Sequence, residues 1–334
     1  MTRDEKYMAL ALAEASRALG RTHPNPAVGA VIVKGGRVIA RGYHVQAGAP
    51  HAEVVALAKA KGRAKGATLY TTLEPCDHQG KTPPCCDAIL TAGIKRVVYA
   101  SSDPNPLVDG KGIARLQRAK VKISKHVLRE EADRLNRPFF KFMRTGLPFV
   151  TLKVAITVDG KLATSTGDSE WVSSEASRLR VHFMRSQVDA VLVGAGTAIA
   201  DDPQLTARIE GGRNPVRVVL DGAQRVPKGA RVFDAEARTI LIDKPSAPKA
   251  VLQHLAQEGL LHVLVEGGAN VHQQFLDAKL FDELHVFIAP KLVGGEGITW
   301  SGNLGIEQMA NALKLELNAV ERIGDDVLLV YRPG

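Results

Sequence analysis

Apolar and polar positions fall into two successive patterns of alternating strands and helices. The opening run, MTRDEKYMALALAEASRALG, has amphipathic spacing and predicts a first helix. Thr22-His23-Pro24-Asn25-Pro26 then reads as a turn, and the apolar runs Val28–Val33 and Val38–Gly42 around Gly35-Gly36 read as a hairpin. Ala52–Lys61 has helical composition, Thr68–Thr72 is strand-like, and Leu73–Pro84 is a loop rich in Pro and Gly. Cys86–Ala92 predicts a helix and Arg96–Ala100 a strand, with further helices over Gly112–Ala119 and Leu128–Met143. This alternation predicts a sheet covered by helices on both faces.

Thr145-Gly146-Leu147-Pro148 interrupts the pattern, which places a domain boundary between residues 146 and 147. Beyond it, strands are predicted over Val150–Ile156, Ala190–Val193, Val216–Leu220, Thr239–Ile242, His262–Val265 and Glu283–Ile288. Helical stretches over Ser174–Gln187, Ala250–Gln257 and Asn270–Asp277 separate them. Leu313–Ile323 and Asp325–Tyr331 read as two closing antiparallel strands. Both halves therefore belong to the α/β class, over residues 1–146 and 147–334.

At 334 residues the chain is about twice the usual domain length of roughly 100–200 residues, which agrees with two domains. Ordinary apolar and charged fractions, 45% and 24%, argue against disorder. The N-terminal segment lacks the apolar core and cleavage site of a secretory signal. No segment approaches about 18 uninterrupted apolar residues, so the expectation is a soluble, cytoplasmic protein without a membrane span. Three cysteines are too few for a disulfide framework, and all lie between positions 76 and 86, which points to a site. Charge divides unevenly: residues 1–146 hold 25 Lys/Arg against 12 Asp/Glu, residues 147–334 hold 19 against 23. A basic first half attracts anions, either nucleic acid or a small phosphorylated substrate.

The decisive stretch is Pro50-His51-Ala52-Glu53 at a helix start, with Glu74-Pro75-Cys76 at a strand end and Cys85 at the next helix start. Catalytic zinc takes three protein ligands and leaves a position for water, and one imidazole with two thiolates supplies that set. Zinc lowers the pKa of its water from about 15.7 to around 7. Glu53, two residues from His51, is the natural proton shuttle. A helix N-terminus favours thiolate at Cys85. Spacing leaves Cys85 and Cys86 open as third ligand; Cys86 shares a helix face with Ile89 and Leu90 and suits the core, so Cys85 is assigned to zinc.

The pattern resembles the zinc deaminase signature, an H-x-E followed by P-C and a second Cys. It departs from P-C-x-x-C in the eight residues between Cys76 and Cys85. That insertion, Glu74-Pro75-Cys76-Asp77-His78-Gln79-Gly80-Lys81-Thr82-Pro83-Pro84-Cys85, with His23-Pro24-Asn25-Pro26 upstream, resembles the family of bifunctional bacterial riboflavin biosynthesis proteins over essentially the whole chain. The resemblance implies a cytidine-deaminase-like three-layer domain followed by a dihydrofolate-reductase-like domain. It also implies two activities: deamination of a diaminopyrimidinone ribosylamino phosphate, and NADPH-dependent reduction of the ribose to a ribityl chain. Asn25, His44, His78, Lys81 and Thr82 should then line the pyrimidine and phosphate pocket. Asp77 stands where Ser is common in the family.

In the second half, Val191–Thr197 and Val263–Asn270 each run from a strand into glycines, which lets a backbone approach a phosphate. The G-x-G-x-x-G fingerprint fails at Ile199, so no Rossmann unit is expected. The resemblance extends over Leu152-Lys153-Val154-Ala155, Gly167–Trp171, Thr197–Thr206 and Val265–Gly268. It implies that Ala155, Trp171, Thr197, Asp201 and Gly268-Ala269-Asn270-Val271-His272-Gln273-Gln274 contact NADPH. Gly222 belongs with them, at a position where the family often has Ser. Ser169, Arg185, Leu205, Arg208 and Glu266 would contact the substrate, with Arg185 and Arg208 as a fork for its phosphate. Trp171 has core packing as its other reading.

Zn2+ and NADPH are thus the expected cofactors. The expected partner is a small phosphorylated pyrimidine rather than nucleic acid or membrane, with homo-oligomerisation through the reductase domain. The rival reading is a single-function zinc deaminase acting on a nucleic-acid base. Aromatic residues for base stacking are only 5% here, and a reductase-like half would be idle. A structural zinc module would ordinarily use four ligands and leave Glu53 without a task.

Overall fold

The computed structural model describes residues 1–80, 82–105, 108 and 110–334. The chain divides into two compact units, Met1–Gly146 and Leu147–Gly334.

The first unit is built on a five-stranded sheet of β1 (Gly29–Lys34), β2 (Arg37–Tyr43), β3 (Thr68–Leu73), β4 (Arg96–Ser101) and β5 (Lys122–Lys125), in the order β2-β1-β3-β4-β5. The β1–β2 and β1–β3 pairs are antiparallel; β3, β4 and β5 run parallel. One face, with Val31, Val33, Tyr70 and Val98, packs under α1 (Arg3–Ser16), which carries Met8 and Ala11. The other face receives α2 (Ala52–Ala60), which packs on α3 (Cys85–Thr91), with α4 (Lys111–Arg118) beside α3. Close approach of α2 depends on Gly42, where a Cβ would lie 2.6 Å from the Ala52 carbonyl oxygen and the Ala56 nitrogen. That contact holds α2, and so His51 just before it, against the sheet.

The helix expected over Leu128–Met143 is two helices, α5 (Arg129–Leu135) and α6 (Arg137–Thr145), broken at Asn136. Asn136 is 3% exposed; its side chain accepts from the Ala27 N–H at 2.8 Å and donates to the Ala27 carbonyl at 2.9 Å. Pro138 in the first turn of α6 ends the preceding helix locally, and the tertiary hydrogen bonds fix Asn136 at the break. Asn136→Ala should destabilise this unit by about 2–3 kcal/mol, because two buried backbone groups lose their partner; urea unfolding of the full chain followed by circular dichroism measures it. Strand β5 was also absent from the sequence expectation: Lys122-Ile123-Ser124-Lys125 is short and polar, as an edge strand can be.

The second unit contains an eight-stranded sheet. Its strands are β6 (Phe149–Thr157), β8 (Ala190–Gly194), β9 (Val216–Leu220), β10 (Thr239–Ile242), β11 (His262–Gly267), β12 (Glu283–Ala289), β14 (Leu315–Ile323) and β15 (Asp326–Pro333). Their order is β10-β9-β8-β11-β6-β12-β15-β14, with parallel pairing as far as β12 and antiparallel pairing beyond it. The short strands β7 (Lys161–Ala163) and β13 (Ile298–Thr299) pair separately. Near-continuous apolar strands such as Ala190-Val191-Leu192-Val193 match burial on both faces. One face packs on α9 (Pro248–Gln257) and α10 (Ala269–Asp277), through Leu252, Leu255 and Phe275. The other packs on α7 (Glu175–Gln187) and α8 (Ala195–Ala200), through Met184 and Ala198. Where glycine-rich turns were expected, the strands pass almost directly into α8 and α10. Among the described residues, no helix is long and apolar enough to cross a membrane.

Candidate functional site

In the first unit, α2 begins just after His51, β3 ends just before Glu74-Pro75-Cys76, and α3 begins at Cys85. The three ends bring His51 Nδ1 to 3.1 Å from Cys85 Sγ and 3.5 Å from Cys76 Sγ. All three candidate ligand atoms lie within 4.8 Å of one another. Tetrahedral zinc with Zn–N about 2.0–2.1 Å and Zn–S about 2.3 Å sets nitrogen and sulfur about 3.6 Å apart, so the donor set fits the ion in chemistry and separation. Cys86 is engaged elsewhere, its sulfur 3.6 Å from the Gly112 carbonyl, and burial pushes its thiol up to about 12. Hydrogen bonding with Cys85, opposed by burial and helped by His51, draws Cys76 down to about 4. The same bond and burial push Cys85 up, so Cys76 is the readier thiolate.

Glu53 is 3% exposed and lies 3.5 Å from both Cys85 Sγ and the Thr71 hydroxyl, which donates to it. Burial pushes its carboxyl above the usual carboxylate range, which makes it a stronger base toward a neighbouring water than an exposed glutamate. The sheet edge presents His44, whose Nδ1 meets the Pro50 carbonyl at 3.2 Å and whose Nε2 meets Asn25 Nδ2 at 3.0 Å. With Nδ1–H donating to the carbonyl, Nε2 accepts from the amide; burial lowers the pKa and keeps this ring neutral. Its ring sits edge-on to His51 at 5.4 Å.

Asn25, His44, His51, Glu53, Cys76 and His78 share one cavity of about 140 Å³. Thr82 meets the far side of the metal imidazole, Oγ1 3.3 Å from His51 Nε2. Lys81 lies outside the described residues. The structure adds Asp103 and Asn105 to the cavity wall, from the loop after β4. Burial raises Asp103 to about 6, while the Asn105 N–H donates to its carboxylate at 2.9 Å. Asp103-Pro104-Asn105-Pro106 echoes the His23-Pro24-Asn25-Pro26 turn, and that likeness was the available sequence signal. Asp77 pairs with Arg115 at 2.5 Å, and the same guanidinium holds Asp87 at 2.5 Å, tying the metal-flanking loop to α3 and α4.

In the second unit two adjoining cavities open at the C-terminal ends of β8, β9, β10 and β11, where ligands bind in parallel sheets. The larger, about 960 Å³, is lined by Thr197, Asp201, Gly222, Gly268, Ala269, Asn270, Val271 and Gln274 among others. The smaller, about 320 Å³, gathers Lys153, Ala155, Trp171, His182, Arg185, Leu205, Arg208 and His272. Ser169, Thr197, Asp201 and Glu266 are common to both. Gln273 lines neither; its amide donates to the Asn303 carbonyl at 2.5 Å. Trp171 is 59% exposed with the Arg178 guanidinium 4.5 Å over its ring, so it is a cavity wall and not core. A Cβ at Gly222 would stand 2.7 Å from the Pro245 nitrogen, so this backbone has no room for the family's Ser.

Arg185 grips Glu266 through two bonds of 2.6 and 2.9 Å, and Lys153 Nζ lies 3.8 Å from the same carboxylate. Burial opposes the charge on Glu266, but the Arg185 and Lys153 cations outweigh it and hold the carboxyl at about 2. Burial lowers Lys153 and raises Asp201. Arg208 instead leans on His182, Nε to Nε2 at 3.3 Å. Thus Arg185 is committed to Glu266, whereas among the described residues Arg208, like Arg178 and Arg231 on the same cavity wall, forms no ion pair with an acid.

Together these features define a zinc deaminase unit joined to a reductase unit. The zinc-binding region of cytidine and deoxycytidylate deaminases matches residues 1–101, and the RibD C-terminal domain matches residues 148–329. The riboflavin biosynthesis protein RibD of Aquifex aeolicus is 46% identical, over 98% of both chains, and that of Escherichia coli is 39% identical, also over 98% of both. The solved diaminohydroxyphosphoribosylaminopyrimidine deaminase/5-amino-6-(5-phosphoribosylamino)uracil reductase of Thermotoga maritima superposes with a TM-score of 0.94 at 39% identity, covering 99% of each chain. The chain belongs to the RibD family of bifunctional riboflavin biosynthesis enzymes, with deaminase and reductase activities and with Zn2+ and NADPH as cofactors. The single-function nucleic-acid deaminase is not favoured, since the matches run through the second unit.

Proposed function

We propose that the first unit hydrolytically deaminates 2,5-diamino-6-(5-phosphoribosylamino)pyrimidin-4(3H)-one. The second unit then reduces the ribosyl group of the resulting 5-amino-6-(5-phosphoribosylamino)uracil to ribityl with NADPH. The observation that carries the first step is the buried Glu53 carboxyl at 3.5 Å from a ligand of the His51-Cys76-Cys85 trio. Zinc held by His51, Cys76 and Cys85 would supply an activated water. Glu53 takes its proton and passes it to the departing amine, so that a C–N bond is exchanged for C=O and ammonia leaves. Asn25, His44 and His78 orient the ring, and the neutral Asp103 or its ionised form offers one further polar contact.

In the second unit NADPH supplies the hydride, and the chain aligns it with the ring-opened, imine-like sugar carbon while excluding water. Support comes from the two cavities with a common wall at Ser169, Thr197, Asp201 and Glu266, one of a size for a dinucleotide and one for a smaller substrate. Arg208 receives the sugar phosphate at the mouth of the smaller cavity, and the Arg185–Glu266–Lys153 cluster fixes its floor. The reading also places the protein in the cytoplasm as a homo-oligomer through this unit. Its edge strand β14 leaves Leu317 and Val320 open to solvent, a surface suited to pairing.

Purified protein given the diaminopyrimidinone substrate should release ammonia with or without NADPH, and should oxidise NADPH only after deamination. Ammonia without oxidation would confine the function to the first unit.

A further inference from the structure

Resting on the NADPH reading above, we infer that Arg225 and Lys244 recognise the 2′-phosphate of the cofactor and set its preference over NADH. The larger cavity has two distinct ends. One end, at Thr197, Asp201 and Glu266, opens into the smaller cavity and so takes the reacting nicotinamide. The other lies at the loops after β9 and β10; β10 is two strands from β8, which leads to Thr197 and Asp201, and three from β11, which carries Glu266, about 10–14 Å at the usual spacing. The adenosine ribose belongs there.

At that far end Leu220 and Ile242 pair in register, so the loops after β9 and β10 leave the sheet side by side. Gly222 fits so tightly against Pro245 that the two loops touch. One loop carries Arg225 and the other Lys244, the only cations among the described residues lining this cavity. Both side chains are exposed.

The acid at the end of β9 decides the sign of the preference. An NAD site uses such a carboxylate to accept from the ribose 2′-hydroxyl, whereas a 2′-phosphate requires cations. Asp221 is 2% exposed, and its two oxygens accept from the Arg225 N–H at 2.9 Å and the Val226 N–H at 2.8 Å. The carboxylate is therefore spent inside its own loop. It shapes the turn that presents Arg225 and is not offered to a hydroxyl. The other acids of the cavity, Asp201 and Glu266, lie at the nicotinamide end.

The test is calorimetric binding of NADP+, NAD+, 2′,5′-ADP and 5′-AMP to the full chain and to Arg225→Ala, Lys244→Ala and the double variant. Wild type should prefer NADP+ over NAD+ and 2′,5′-ADP over 5′-AMP. Each single variant should lose about tenfold to a hundredfold toward the 2′-phosphorylated ligands, the range of a charge-assisted hydrogen bond, and remain within about twofold toward NAD+ and 5′-AMP. Arg225→Lys should restore part of the loss. An unchanged unfolding midpoint shows that the exposed substitutions leave the fold intact. Variants that keep the wild-type ligand ratio would overturn the assignment of these two residues; wild type that binds NAD+ as tightly as NADP+ would overturn the NADPH reading itself.

Discussion

Glu53→Gln should cut ammonia release by about 10²–10⁴-fold while zinc content stays at the wild-type level. Glutamine keeps the shape and can still accept from the Thr71 hydroxyl, which lies 3.5 Å from the carboxylate, but it cannot carry a proton from water to amine. It also removes an acid that burial disfavours in its ionised form, so the unfolding midpoint of the first unit should hold or rise. Ammonia assay, metal analysis and thermal unfolding on one preparation separate these effects. Loss of zinc along with activity would instead make Glu53 a structural support of the metal cluster.

Arg185→Met should cost about 3–5 kcal/mol and abolish NADPH oxidation, because it strips a largely buried carboxylate of its bidentate partner and leaves Lys153 at 3.8 Å as its remaining cation. Both tryptophans, Trp171 and Trp300, lie in the second unit, so fluorescence-monitored urea unfolding reports this loss selectively. Arg185→Met combined with Glu266→Leu should recover much of the stability and none of the activity. The same pair predicts an acid sensitivity. Glu266 falls from its ordinary 4.5 to about 2 on folding, so its contribution is present above pH 4.5 and lost as pH falls through the interval toward 2. The amount is about 3 kcal/mol, and it should vanish in the double variant.

The metal trio was legible because its chemistry is local: an H-x-E at a helix start, P-C at a strand end and a cysteine at the next helix start are each visible in a few residues. The parallel strands of the second unit were legible for the same reason, as largely apolar runs of four to seven residues. Features that depend on distant partners were not. The helix break at Asn136 combines a local cause, Pro138 in the first turn of α6, with a distant one, the two Ala27 backbone groups that bond the Asn136 amide. Gln273 sits within the stretch implied to hold NADPH, yet its position on α10 turns it to Asn303. Asp103 and Asn105 reach the deaminase cavity only because β4 lies beside β3 in the sheet. Nothing in the sequence marks Asp221, and only its hydrogen bonds to the Arg225 and Val226 N–H groups show that it shapes its own loop.

One chain carries two successive reactions at separate sites, the second acting on the product of the first. The most direct measurement is NADPH oxidation by Glu53→Gln with each of two substrates. Given the diaminopyrimidinone it should oxidise almost none; given the already deaminated 5-amino-6-(5-phosphoribosylamino)uracil it should match wild type. Oxidation at the wild-type rate with the undeaminated substrate, or failure with both, would rule out two successive reactions in this order.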